Sequence, residues 1–128
     1  WRMLQLDQPE DFVIATGRQE TVRKFIELSA DKLGWGAKNS PPIIWEGEGL
    51  NEVGIRSDNK EIVVKIDKNY FRPSEVDSLL GDPSKAFKIL NWEPTTSLED
   101  LVEDMIKHDL EEARKESFLK KRNSSNRY

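Results

Sequence analysis

The chain has 128 residues, enough for one ordinary domain with a single core, and its 24 acidic against 20 basic residues leave a formal charge of −4. That balance offers no broad positive field to a polyanion, so nucleic acid is not an expected partner. Cysteine is absent, which excludes disulfides, cysteine-ligated zinc and thiol nucleophiles, and no apolar run nears the roughly 18 residues that a bilayer-spanning helix needs.

Residues 1–7 lack the basic-then-apolar layout of a signal peptide, and a reducing cytoplasm without membrane contact is the expected location. Trp1-Arg2-Met3-Leu4-Gln5-Leu6 reads as the last turns of an amphipathic helix whose start is missing, so the chain is expected to be a piece of something longer. After a turn cluster at residues 7–11, Phe12-Val13-Ile14-Ala15-Thr16 is a continuous apolar run closed by Gly17, the pattern of a buried strand. From Thr21, Val22, Phe25, Ile26, Ser29 and Leu33 share one helical face until Gly34 stops it.

Residues 34–42 hold breakers and little pattern. Ile43-Ile44-Trp45 predicts a short strand running into the polar loop Glu46-Gly47-Glu48-Gly49. Ile62, Val64 and Ile66 then share one face of a second clear strand. Residues 70–80 have neither period, and Pro73 argues against a central strand, so they read as a loop. Asp82-Pro83 opens a helix, the carboxylate accepting an orphan N–H and proline pre-setting φ, with Ala86, Ile89 and Leu90 expected to face inward. Ser97 caps a longer helix with Leu98, Leu101, Val102, Met105 and Ile106 as its stripe. Acidic residues crowd its start and basic ones its end, as the macrodipole favours, and it is expected to hold through about Phe118. The reading is a mixed α/β fold of few short strands with three to four helices, one domain over residues 1–122 and a frayed polar tail at 123–128.

Catalytic constellations are scarce. No strand is followed by a Gly-x-Gly-x-x-Gly turn, and Gly47-Glu48-Gly49 sits among carboxylates that would repel a pyrophosphate. The single histidine, His108, lies off the apolar stripe and reads as a solvated surface side chain. Glu46, Glu48 and Glu52 match no calcium loop, and no metal is expected. Tyr70 is followed at the fourth position by Ser74, so the tyrosine and lysine pair of short-chain dehydrogenases is missing. No catalytic and no cofactor-binding residue is assigned to this chain.

One segment does carry chemistry: in Asn69-Tyr70-Phe71-Arg72-Pro73-Ser74-Glu75-Val76-Asp77 an arginine and a glutamate lie three positions apart beside aromatics. Arginine presents a planar fork of donors to phosphate oxygens, and a carboxylate accepts from vicinal ribose hydroxyls. A surface ion pair between Arg72 and Glu75 is the competing reading of the same residues.

That segment, followed by Leu80-Gly81-Asp82-Pro83-Ser84-Lys85-Ala86 and Leu90-Asn91-Trp92-Glu93-Pro94, resembles the GDP-mannose 4,6-dehydratase family of extended short-chain dehydrogenases. The likeness continues in Pro9 to Gly17, Thr21-Val22-Arg23-Lys24-Phe25 and Asn51-Glu52-Val53-Gly54, and so covers the chain to about Lys121. The resemblance implies the carboxy-terminal, substrate-binding part of such an enzyme, whose Rossmann domain is absent from this chain. For the intact protein it implies an NADP-dependent lyase converting GDP-mannose to GDP-4-keto-6-deoxymannose, on the route to GDP-fucose and GDP-rhamnose. It further implies a homodimer or homotetramer assembled mainly through the other domain, with this chain inactive alone. It also assigns Arg72 to the pyrophosphate, Glu75 to the ribose hydroxyls and Tyr70 to the lining of the same pocket, the ligand being GDP or GDP-mannose. Residues 32–42, rich in Gly and Pro, and a hairpin-like insert at residues 56–60 depart from the family pattern. The same domain of another sugar-nucleotide dehydratase or epimerase, or a truncated non-catalytic nucleotide-sugar-binding module, would carry many of the same features.

Overall fold

A computed structural model describes residues 1–72 and 78–125. The chain falls into two compact units, one made of Trp1–Thr21 and Arg72–Ser97, the other of Val22–Phe71 and Leu98–Tyr128. The described elements are three helices and one three-stranded antiparallel sheet, a mixed α/β fold.

The second unit contains the sheet. Helix α1 (Val22–Lys32) ends where glycine was expected to end it. Gly34 takes φ +72°, its N–H donates to Asp31 O at 2.9 Å, and the N–H of Trp35 donates to Ala30 O at 3.0 Å. These two bonds satisfy carbonyls that the helix end would leave orphaned. Strands β1 (Ile43–Glu46), β2 (Val53–Arg56) and β3 (Ile62–Lys65) pair antiparallel in sequence order, with Trp45 opposite Gly54 and Gly54 opposite Val64. A bulge between Gly54 and Ile55 shifts the second register. Residues 57–60 turn the chain between β2 and β3, with Lys60 left-handed at φ 63°, so the insert at residues 56–60 is the hairpin turn itself.

Arg56 stiffens that turn. Its guanidinium donates to both carboxylate oxygens of Asp58, at 3.0 and 2.7 Å, and lies 4.4 Å from the centroid of the Trp35 ring. The paired guanidinium holds the Asp58 carboxyl below the usual carboxylate range. Ser57, the one buried polar residue among those described, accepts from the N–H of Ala37 at 2.8 Å while its own N–H donates to Pro42 O. The glycine- and proline-rich segment 34–42 is thereby tied to the hairpin.

Helix α3 (Leu98–Ser125) packs on α1 in this unit. It continues past Phe118, seven residues further than its stripe predicts. The stripe itself is narrower than expected: Val102 is fully buried and Leu98, Ile106 and Leu110 are half-buried, whereas Leu101 and Met105 are 46% and 42% exposed. A helix resting on a single partner buries only the positions along one line, here those at i, i+4 and i+8 from Val102. Lys32 pairs with Glu103 beside that line, which raises the lysine pKa.

In the first unit, residues 2–5 form a 3-10 turn (Arg2–Gln5) rather than α-helix. Helix α2 (Ser84–Leu90) begins one residue later than predicted: Asp82 Oδ1 accepts from the N–H of Ser84 at 2.9 Å, and Pro83 stands at the N-cap rather than at the first helical position. Its C-cap, Asn91, is left-handed at φ 47°. Ala86 and Leu90 are buried, but Ile89 is 45% exposed, because seven residues make a single buried line through Pro83, Ala86 and Leu90 and Ile89 falls to its side.

The predicted strand at residues 12–16 is not formed. No strand pairs with it among the described residues, and Val13 and Ile14 are each 52% exposed. An apolar run supplies strand propensity, but a ladder needs a second backbone. Lys85 instead fastens the preceding residues to α2, pairing with Glu10 at 2.7 Å, donating to Asp11 O at 2.9 Å and lying 4.9 Å from the Phe12 ring centroid.

Candidate functional site

The segment that sequence reading singles out leaves β3 at Lys65. Two residues later the Asp67 side chain accepts from the N–H of Asn69 at 2.9 Å and caps a 3-10 turn, Lys68–Tyr70. Tyr70 closes this turn through its N–H to Asp67 O at 3.1 Å, and its side chain is 83% exposed. Phe71 follows in extended conformation and is 51% exposed. Neither ring is part of the unit's core.

Arg72 opens the second stretch of the first unit and is exposed. None of the hydrogen bonds or ion pairs formed among the described residues uses its guanidinium, a planar fork of five donors. Glu75, the other member of the predicted clamp, lies outside the described residues, so the competing ion pair with Arg72 lies outside them too. Further along the chain, the Ser78 hydroxyl donates to Gln19 Oε1 at 2.8 Å. Gly81 then presses against the extended run, since a Cβ there would stand 2.8 Å from Ala15 Cβ and 3.2 Å from Val13 Cγ1. Asp82 caps α2 immediately afterwards.

A second constellation escaped sequence reading. In the sheet-containing unit the Arg23 guanidinium lies 4.3 Å from the centroid of the Trp45 ring and pairs with Glu52 at 2.5 Å, while the indole N–H of Trp45 donates to Glu27 Oε1 at 2.9 Å. These contacts tie α1 to both ends of the loop between β1 and β2. The loop folds on itself: Gly47 and Gly49 have φ +84° and +54°, and a Cβ on Gly47 would meet Asn51 O at 2.5 Å. At Gly47 the turn is therefore filled by its own backbone, and Glu46, Glu48 and Glu52 flank it. That arrangement does not fit a dinucleotide pyrophosphate. Among the described residues no group of three or more His, Asp or Glu side chains is placed to hold a metal ion.

The first unit also contains an open cavity of about 350 Å³ lined by Trp1, Arg2, Met3, Ile14, Leu90 and Trp92. Its single cation is already engaged, because Arg2 Nη1 donates to the carbonyls of Leu90, at 3.0 Å, and of Asn91 at the end of α2. The remaining walls are largely apolar, so this cavity lacks the donors a nucleotide diphosphate requires. His108 is exposed on α3. No helix of the described residues is long and apolar enough to cross a membrane.

Comparison with known proteins places these observations in a family. The model of the family described as GDP-mannose 4,6 dehydratase matches residues 1–105. The chain is 45% identical over 130 residues to GDP-mannose 4,6-dehydratase of Vibrio cholerae, covering 94% of this chain and 33% of that protein. It is 47% identical over 111 residues to GDP-mannose 4,6 dehydratase of Cricetulus griseus (87% of this chain, 28% of that protein), and 45% identical over 111 residues to the Homo sapiens protein, with the same coverage. The chain thus spans about a third of the length of the curated relatives it matches.

Proposed function

Since the chain belongs to the GDP-mannose 4,6-dehydratase family, we propose that it is the part of such an enzyme that grips the GDP moiety of the substrate. In this reading Arg72 binds the pyrophosphate, Glu75 accepts from the ribose hydroxyls, and Tyr70 lines the nucleoside. The observation that carries it is the exposed Arg72 guanidinium, unengaged by the described residues and preceded by the exposed aromatics Tyr70 and Phe71. A guanidinium fork matches two phosphate oxygens in one plane, and charge-assisted hydrogen bonds of this kind are about twice as strong as neutral ones.

The whole protein, on the same reading, removes water from GDP-mannose to give GDP-4-keto-6-deoxymannose and works in the cytoplasm as a homodimer or homotetramer. NADP supplies the redox chemistry of that reaction when bound. The Gly47-Glu48-Gly49 turn, filled by its own backbone at Gly47 and flanked by carboxylates, does not suit the dinucleotide. The role assigned here is accordingly to hold and orient the nucleotide, with no proton or hydride step. The 128-residue chain alone is expected to show no turnover.

Calorimetric titration of the protein with GDP, UDP and dTDP tests the reading. Tightest binding of GDP is the expected result. Equal affinity for all three would point to a cousin of different base specificity, and no affinity for any would overturn the assignment.

A further inference from the structure

The line of α3 through Leu101, Met105 and His108 is exposed and packs on no other element among the described residues of its unit, and its residue order suits a second copy of itself. Leu101, Met105, His108, Glu112, Lys115 and Leu119 recur at alternating four- and three-residue steps and fall within roughly 80° of the helix surface. This line is well separated from the one through Val102, Ile106 and Leu110 that rests on the unit. All six side chains are exposed, and from Glu111 to Arg122 every side chain of the helix is exposed, a projection of about 18 Å at 1.5 Å per residue. An unsupported helical stretch of that length is marginal in water. The pairs Glu112 with Lys115 and Glu116 with Lys120 contribute only tenths of a kcal/mol each.

Charge selects both the partner and its direction. Between Leu98 and Asp109 acidic residues outnumber basic ones five to one, and between Glu111 and Arg122 basic residues outnumber acidic ones five to three. A parallel pair of these helices would stack Glu112 on Glu112 and Lys115 on Lys115. Antiparallel pairing about Leu110 sets Leu101 against Leu119 of the other copy, Met105 along the aliphatic stem of Lys115, and His108 beside Glu112. Each acidic half then meets a basic half, and the helix dipoles oppose one another. Every layer is complementary, and two-fold symmetry repeats each of them.

We propose that α3 is a self-association seam, two copies pairing antiparallel through this face. With only two layers purely apolar, the dimer is weak and concentration-dependent.

The absence of cysteine makes the test clean. Under mild oxidation the double variant Leu101→Cys/Leu119→Cys is expected to give a covalent dimer. Leu119→Cys alone is expected not to, because the two copies of that residue stand about 27 Å apart in the antiparallel arrangement. In sedimentation equilibrium of the 128-residue chain, Leu119→Glu is expected to raise the dimer dissociation constant at least tenfold with an unchanged circular dichroism spectrum. A monomer at every concentration would overturn the proposal. So would a dimer indifferent to Leu119→Glu, or cross-linking of Leu119→Cys alone as complete as that of the double variant.

Discussion

Trp45 and Gly54 face each other across β1 and β2, and the indole occupies the space that a side chain at position 54 would need. A Cβ on Gly54 would stand 3.1 Å from Cζ3 of Trp45 and 2.9 Å from Cβ of Val64 on the other neighbouring strand. Neither neighbour yields easily. The ring is fixed by Glu27 at its nitrogen and by Arg23 over its face, and Val64 is held by the β3 ladder.

Gly54→Ala should therefore destabilise the sheet-containing unit by about 1–3 kcal/mol, the usual cost of overpacking, despite alanine's better intrinsic fit to an extended backbone. Urea denaturation followed by tryptophan fluorescence measures it. A midpoint equal to or above that of the parent chain would show that the ring has room to move.

The network around Trp45 gives a second prediction. Arg23 combines a cation–π contact with the ion pair to Glu52, both only partly exposed, so Arg23→Ala should cost about 1–2 kcal/mol. A double-mutant cycle with Glu52→Gln separates the two contributions. The coupling energy should be below about 1 kcal/mol and should shrink in high salt. If Arg23→Ala leaves stability unchanged, the stacking over Trp45 contributes nothing.

Local signals carried much of the fold into the sequence, and non-local ones carried less. Helix α1 was legible because its apolar face and its terminating Gly34 all lie within thirteen residues, and the start of α2 was legible because Asp82-Pro83 completes its own cap. Strand β2 was not. Val53-Gly54-Ile55-Arg56 offers two alternations interrupted by a glycine, and the reason for that glycine is the Trp45 ring on the neighbouring strand. The same limit explains residues 12–16, whose propensity was read correctly while a pairing strand was assumed. It also explains Leu101 and Met105, which match the helical period but lie to one side of the line that α1 covers. Within the candidate site, residue chemistry singled out Tyr70, Arg72 and Glu75. The Arg23, Glu27, Trp45 and Glu52 cluster brings together residues up to 29 positions apart and has no local signature.

Asp82 makes the first unit sensitive to acid. Its carboxylate accepts from the hydroxyl and the N–H of Ser84, with a smaller attraction from Lys88, and its pKa is lowered from the ordinary aspartate value. A carboxylate depressed in the folded state contributes stability that is fully present above its unfolded pKa, near 3.9, and is lost as pH falls through the folded value. Asp82→Ala should lower the melting temperature at neutral pH, and the difference from the parent chain should close below about pH 4. Thermal melts across that range provide the check. A difference that persists unchanged into acid would mean that the side chain acts through packing rather than as a charged cap.

The nucleotide grip gives the prediction closest to function. A hydrogen bond to a charged group contributes about 1.5–3 kcal/mol, so Arg72→Ala should weaken GDP binding by roughly tenfold to a hundredfold. Arg72→Lys should recover only part of that loss, because an ammonium cannot span two phosphate oxygens in one plane. Glu75→Gln keeps an acceptor for the ribose hydroxyls and should cost less than Arg72→Ala. Folding should be unaffected by the arginine substitutions, since Arg72 is exposed and no hydrogen bond or ion pair among the described residues depends on it. That separation makes the experiment decisive. Calorimetric titration with GDP that returned parental affinity for Arg72→Ala, in a chain with parental melting behaviour, would remove the guanidinium from the binding site and with it the role proposed for this segment.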